Sequence, residues 1–166
     1  AFRELASANA IATLALLAAL LASNTLVDAI ESGLYDDRVV YADQSRYQRI
    51  VMTRDRMDFR LYLNGHLQFA STDEYRYHES LARVPAAVRS KFDQELGRVL
   101  VLGGGDGLLA RELLALGAER VDVVDLDPAV TALAREHPGI RSLNEGALDS
   151  SRVTVHHTDA FRFIAD

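Results

Sequence analysis

The chain has 166 residues, room for one ordinary domain or for a small domain with part of a second. A net charge of −6 at pH 7 argues against a nucleic-acid partner, which requires a basic face to neutralise phosphates. Cysteine is absent, which removes disulfides, thiolate metal sites and cysteine nucleophiles, and 49% hydrophobic with 25% charged residues is the composition of a chain that buries a core.

From Leu5 to Val27 run 23 residues without a charge, apolar nearly all round at the centre. That length spans a bilayer, which takes roughly 20 residues. Alanine, Ser7, Asn9, Thr13, Ser23, Asn24 and Thr25 dilute the run, so a helix buried in a soluble assembly is the competing reading. A secretory signal peptide is the third, weakened by a leader with only Arg3.

Past Asp28 the composition turns β-like, in runs at Val39 to Tyr41, Tyr47 to Met52 and Phe59 to Leu63. The cluster Arg54, Asp55, Arg56 and Asp58 reads as a solvated hairpin tip, and Asn64-Gly65 is a type I′ hairpin signal. Thr72 or Asp73 caps a helix expected to run until Pro85 nears, with a further amphipathic stretch to Leu96.

From Arg98 the pattern alternates strand and helix. Val99 to Leu102 suits a parallel strand, Leu108 to Leu116 a helix ending at Gly117, Val121 to Val124 a strand, Pro128 to Arg135 a helix and Val153 to His156 a third strand. His137-Pro138-Gly139 reads as a turn. The expected fold class is α/β: a hydrophobic helix and linker at 1–34, a small antiparallel β domain at 35–71, a helical connection at 72–97 and an incomplete Rossmann-like, doubly wound nucleoside-binding domain at 98–166. Ala1 in place of methionine, and a last segment reading as helix without a stop signal, suggest a chain cut at both ends.

Gly103-Gly104-Gly105-Asp106-Gly107 joins the first parallel strand to its helix, where glycines allow a sharp turn and a ligand can lie against main-chain N–H groups. Asp125 ends the next strand, placed to accept hydrogen bonds from ribose hydroxyls, and Asp159-Ala160 ends the third, where adenine reaches. The competing reading makes the glycines a tight turn and the aspartates helix caps. Asp106 would repel a pyrophosphate, so a nucleoside carrying a positive charge, such as a sulfonium of the S-adenosyl type, fits better than a nicotinamide dinucleotide. His156 and His157, as strand neighbours, face opposite sides, and one metal cannot readily take both.

These motifs, with Ser45 to Ile50, Leu63 to Gln68 and Asp73 to Glu79, make residues 35–166 resemble the polyamine aminopropyltransferase (spermidine synthase) family. The resemblance is to the membrane-linked bacterial kind, in which hydrophobic helices precede the catalytic domain. It implies transfer of an aminopropyl group from decarboxylated S-adenosylmethionine, a co-substrate and not a tightly bound cofactor, to an amine such as putrescine, giving spermidine and methylthioadenosine. It implies that Gln48, Gly103, Gly104, Gly105, Asp125, Asp159 and Ala160 bind the donor or methylthioadenosine, and that Tyr77, His78, Asp106 and Gln68 bind the amine or aminopropyl group. The family usually has glutamate at position 125 and aspartate at position 64, where this chain has Asp125 and Asn64. The resemblance places the catalytic aspartate on a fourth strand, beyond Asp166. It further implies a homo-oligomer, no metal and a cytoplasmic catalytic part, anchored to the inner membrane if residues 5–27 span it. The same donor pocket would serve an S-adenosylmethionine-dependent amine methyltransferase, and a non-catalytic nucleoside-binding or oligomerising fragment is the non-enzymatic alternative.

Overall fold

A computed structural model describes residues 9, 11–20, 33–56, 58–92 and 94–165. The chain divides into two compact units, residues 1–39 and 40–166. In the first, residues 11–20 form helix α1, where the Thr13 hydroxyl donates to the Asn9 carbonyl at 2.8 Å. Most of the span read as membrane-length, residues 5–27, lies outside the described residues. Among those described, no helix is long and apolar enough to cross a membrane.

Four strands form an antiparallel meander in the order β1 (Arg38–Gln44), β2 (Arg49–Asp55), β3 (Asp58–Leu63) and β4 (His66–Ala70). Asn64 and Gly65 make the β3–β4 turn with φ of +51° and +78°, the left-handed pair that type I′ requires. Asn64 also ties the turn to β2, since its Oδ1 accepts from the Arg49 N–H at 2.9 Å. The solvated tip is shorter than its charge cluster, because β2 and β3 pair out to Asp55 opposite Asp58. Ile50, Val51 and Met52 are buried in succession, so β2 is covered on both faces.

Helix α2 (Glu74–Ser90) corrects the expected stop near Pro85. The proline ring removes the bond to the carbonyl of Leu81, but Leu81 lies on the exposed side of the helix, so the lost bond is not one in the core. Ala82, on the buried side, has no exposure.

The α/β layers follow: β5 (Arg98–Leu102), α3 (Leu108–Ala115), β6 (Arg120–Asp125), α4 (Pro128–Glu136), α5 (Pro138–Leu143), a 3₁₀ turn (Ala147–Asp149), β7 (Val153–His157) and α6 (Ala160–Ala165). The three strands are parallel in the order β5-β6-β7. Central β6 buries Val121, Val123 and Val124, whereas edge strand β5 leaves Leu100 and Leu102 about half exposed. Pro138-Gly139, read as a turn, instead opens α5: proline suits the first helical position, and His137 Nδ1 accepts from the Gly139 N–H at 3.1 Å. A Cβ at Gly139 would come within 3.0 Å of the Phe59 ring, so glycine lets β3 and α5 pack closely. One apolar core joins the two sheets, with Ile50, Met52 and Leu61 on one side and Val121, Leu133 and Ile140 on the other. Truncating one such side chain to alanine removes about 2–5 kcal/mol.

Candidate active site

The glycine loop leaves β5 with Gly103, Gly104 and Gly107 at φ of +84°, +79° and +80°, a conformation that side chains resist. At Gly107 a Cβ would also meet Leu148 at 2.9 Å. Asn144, 1% exposed, holds the loop from beneath: its Nδ2 donates to the carbonyls of Asp106 at 2.8 Å and Ala134 at 3.0 Å, and its Oδ1 accepts from the Gly146 N–H at 2.9 Å.

Above the loop lies a cavity of about 440 Å³ at the carboxyl ends of the parallel strands, the position at which open α/β sheets take ligands. Its walls include Asp106, Asp125, Asp127 and Asp159, and among the described residues neither arginine nor lysine lines it. A pocket with that charge repels phosphate and attracts a cation. Gln48, Gly103, Gly104, Gly105 and Ala160 line the same space, so every residue assigned to the donor is brought together here.

Three of the carboxylates also have local tasks. Asp125 Oδ2 accepts from the Gly105 N–H at 2.8 Å and Oδ1 from the Asp127 N–H at 2.9 Å, which fixes the loop against the strand end. Asp159 Oδ1 caps α6 through the N–H groups of Phe161 and Arg162. Asp127, 2% exposed, caps α4 through the Ala129 N–H at 3.0 Å, and its other oxygen accepts from Ser45 Oγ at 2.6 Å and Gln48 Nε2 at 2.9 Å. The cap reading of the aspartates therefore holds alongside their place in the cavity wall, and Asp127 fastens the β1–β2 loop over the pocket.

A second cavity of about 180 Å³ is lined by Tyr77, His78, Gln68 and Asp106, which gathers the four residues assigned to the amine. Gln68, Gly104 and Asp106 border both cavities. Asp106 Oδ1 accepts from the Leu108 N–H at 2.9 Å at the start of α3. Burial pushes the Asp106 carboxyl above the usual range; the Leu108 N–H and the nearby His78 pull it down, while Asp125 and Glu74 push it up.

Behind the second cavity, Glu74 and His78 share one face of α2, with His78 Nδ1 at 2.9 Å from Glu74 Oε2 and at 2.9 Å from the Glu74 carbonyl. Arg111 reaches Glu74 with both terminal nitrogens, at 3.0 Å and 3.2 Å, and Glu112 Oε1 at 2.7 Å. Asp127, Glu74, Arg111 and Asn144 were not singled out by sequence reasoning. Asp127 immediately before Pro128 is a helix-start signal, and Glu74 four residues before His78 is a same-face spacing. Arg111 and Asn144 carry no local signal. His156 and His157 point apart: His156 Nε2 pairs with Asp122 at 2.9 Å, and His157 Nε2 lies 2.9 Å from Thr131 Oγ1.

Residues 74–166 match the family model described as the spermine/spermidine synthase domain. Over 137 residues the chain is 49% identical to a polyamine aminopropyltransferase of Leptospira interrogans, covering 82% of this chain and 27% of that protein. Over 152 residues it is 43% identical to the polyamine aminopropyltransferase of Oceanobacillus iheyensis, covering 91% of this chain and 29% of that one. The chain thus spans between a quarter and a third of the length of these relatives. The fold resembles the crystal structure of spermidine synthase from Thermotoga maritima with a TM-score of 0.69 and 29% identity, covering 76% of this chain and 42% of that one. A spermidine synthase in complex with the transition-state analogue AdoDATO matches at a TM-score of 0.67 and 28% identity, covering 76% and 43%.

Proposed function

The chain belongs to the spermine/spermidine synthase domain family, and from that premise we propose that it forms the donor site and one wall of the amine site of a polyamine aminopropyltransferase. The supporting observation is the wall shared by the two cavities: Asp106, with Gln68 and Gly104, borders both the larger and the smaller one.

On this reading the adenosine part of decarboxylated S-adenosylmethionine lies in the larger cavity, with Asp125 at the ribose, Asp159 and Ala160 at the adenine and Gln48 against the methylthioadenosine part. Asp106 holds the ammonium of the aminopropyl group, and its neighbour carboxylates favour the sulfonium. Putrescine enters the smaller cavity, where Tyr77 packs on its methylenes and Gln68 and His78 meet its nitrogen. A neutral amine attacks the carbon bound to sulfur in line. The new N–C bond forms as the C–S bond breaks, the electron pair returns to sulfur, and neutral methylthioadenosine leaves. The amine proton passes to the aspartate that the resemblance places after Asp166.

The test supplies the complete protein with putrescine and each donor in turn, and identifies the product by mass. Spermidine with methylthioadenosine from the decarboxylated donor is expected. A methylated amine from S-adenosylmethionine, without spermidine, overturns the assignment.

A further inference from the structure

His78 Nδ1 meets two acceptors, the carboxylate and the main-chain carbonyl of Glu74, each at 2.9 Å. Neither can donate, so the proton sits on Nδ1 and the neutral ring carries its lone pair on Nε2. The ring is 5% exposed, lines the smaller cavity, and Nε2 makes no hydrogen bond to another described residue. Arg111 holds the same carboxylate with a two-pronged contact at 3.0 Å and 3.2 Å, and is itself only 14% exposed in its side chain.

We propose that Glu74, clamped by Arg111, is a positioning residue that holds His78 in the Nδ1–H form, so that Nε2 accepts a hydrogen bond from the N–H of the acceptor amine. This rests on the aminopropyltransferase reading for the identity of the amine. The arrangement supplies an acceptor without adding a negative charge to a cavity that already holds Asp106. Asp106 takes charge on the ligand, and His78 takes direction.

The decisive variant is Glu74→Gln. Arg111 has only donors to offer and claims the carboxamide oxygen, which turns the amide NH₂ toward Nδ1 and sets donor against donor. The Nδ1–H form then loses population, and Nε2 takes up a proton that faces the ligand.

Calorimetry of the complete protein with methylthioadenosine, then with putrescine in its presence, reads the effect, with two-bond ¹H–¹⁵N spectra of the His78 ring reporting the proton. The wild type is expected to show protonated Nδ1 and bare Nε2. Glu74→Gln should bind putrescine roughly tenfold more weakly, with methylthioadenosine within about twofold, as for outer residues that orient a binding histidine. His78→Gln, whose oxygen falls near the place of Nε2, should keep more putrescine affinity than His78→Asn, whose oxygen falls near that of Nδ1. A wild-type ring protonated on Nε2 overturns the proposal even if the variants fail to fold. So does Glu74→Gln with unchanged putrescine affinity, or equal loss in the two His78 variants. A wild type that binds methylthioadenosine and no diamine overturns the amine reading beneath it instead.

Discussion

Asp125 Oδ2 accepts a hydrogen bond from the Gly105 N–H at 2.8 Å, joining the end of β6 to the glycine loop that leaves β5. The contact is close because position 105 has no side chain: a Cβ there would lie 2.6 Å from Oδ2 and 2.8 Å from Cγ of Asp125. Glycine is needed here for approach, not for backbone angle.

Gly105→Ala therefore displaces Asp125. The overpacking is expected to lower stability by about 1–3 kcal/mol in urea unfolding. Methylthioadenosine affinity should fall by at least about tenfold in calorimetry, because loop and ribose acceptor move together. Unchanged affinity would remove Asp125 from the donor site.

Asp127→Ala removes the α4 cap and leaves Ser45 and Gln48 without their shared acceptor. A lost cap accounts for about 1 kcal/mol, and the Gln48 amide left without its acceptor adds about 1–3 kcal/mol, while the Ser45 hydroxyl keeps the Gln48 carbonyl at 3.1 Å. Hydrogen exchange should show the β1–β2 loop opening while the core of β6 stays protected.

Asp106 is held above the usual carboxylate range chiefly by burial, so the folded state binds its proton more tightly than the unfolded one. The stability linked to that proton is complete below the unfolded value and is lost as pH rises through the raised folded value. Asp106→Asn, which keeps an oxygen for the Leu108 N–H, should then be at least as stable as the wild type at pH 7, with its advantage vanishing in acid. It should lose affinity for the aminopropyl-bearing donor while retaining methylthioadenosine. Binding of that cationic donor to the wild type near the raised value should release protons, seen as a buffer-dependent heat.

Asp122 behaves in the opposite sense. Burial pushes its carboxyl up, but hydrogen bonds from His156 and Arg98 and the charges of Arg98 and Arg120 outweigh it and hold the group below the usual range. Its contribution is present above the unfolded value and disappears as pH falls through the folded one. Urea midpoints measured from pH 6 to pH 2 should fall more steeply for the wild type than for Asp122→Asn.

The features legible in the sequence were those whose cause lies within a few residues. Asn64-Gly65 dictates its own turn, the glycine loop between strand and helix lines the larger cavity, and an aspartate after each strand follows from α/β geometry. Asn144 and Arg111 escaped because their partners, the Asp106 carbonyl and the Glu74 carboxylate, are 38 and 37 positions away. Pro85 and Pro138 misled because proline acts through what surrounds it. Exposed Leu81 lets the helix continue past Pro85, and a capping His137 lets one begin at Pro138.

The hydrogen bonds from Ser45 and Gln48 to Asp127 span 82 and 79 positions of chain. The meander closes through short turns and the parallel strands through helical crossovers, so both form from nearer neighbours. The β1–β2 loop over the larger cavity must wait until both sheets exist. Order of assembly and order of recognition thus converge on one carboxylate: the pocket is completed last in folding, and a donor analogue added during refolding should capture the chain only after both sheets have formed.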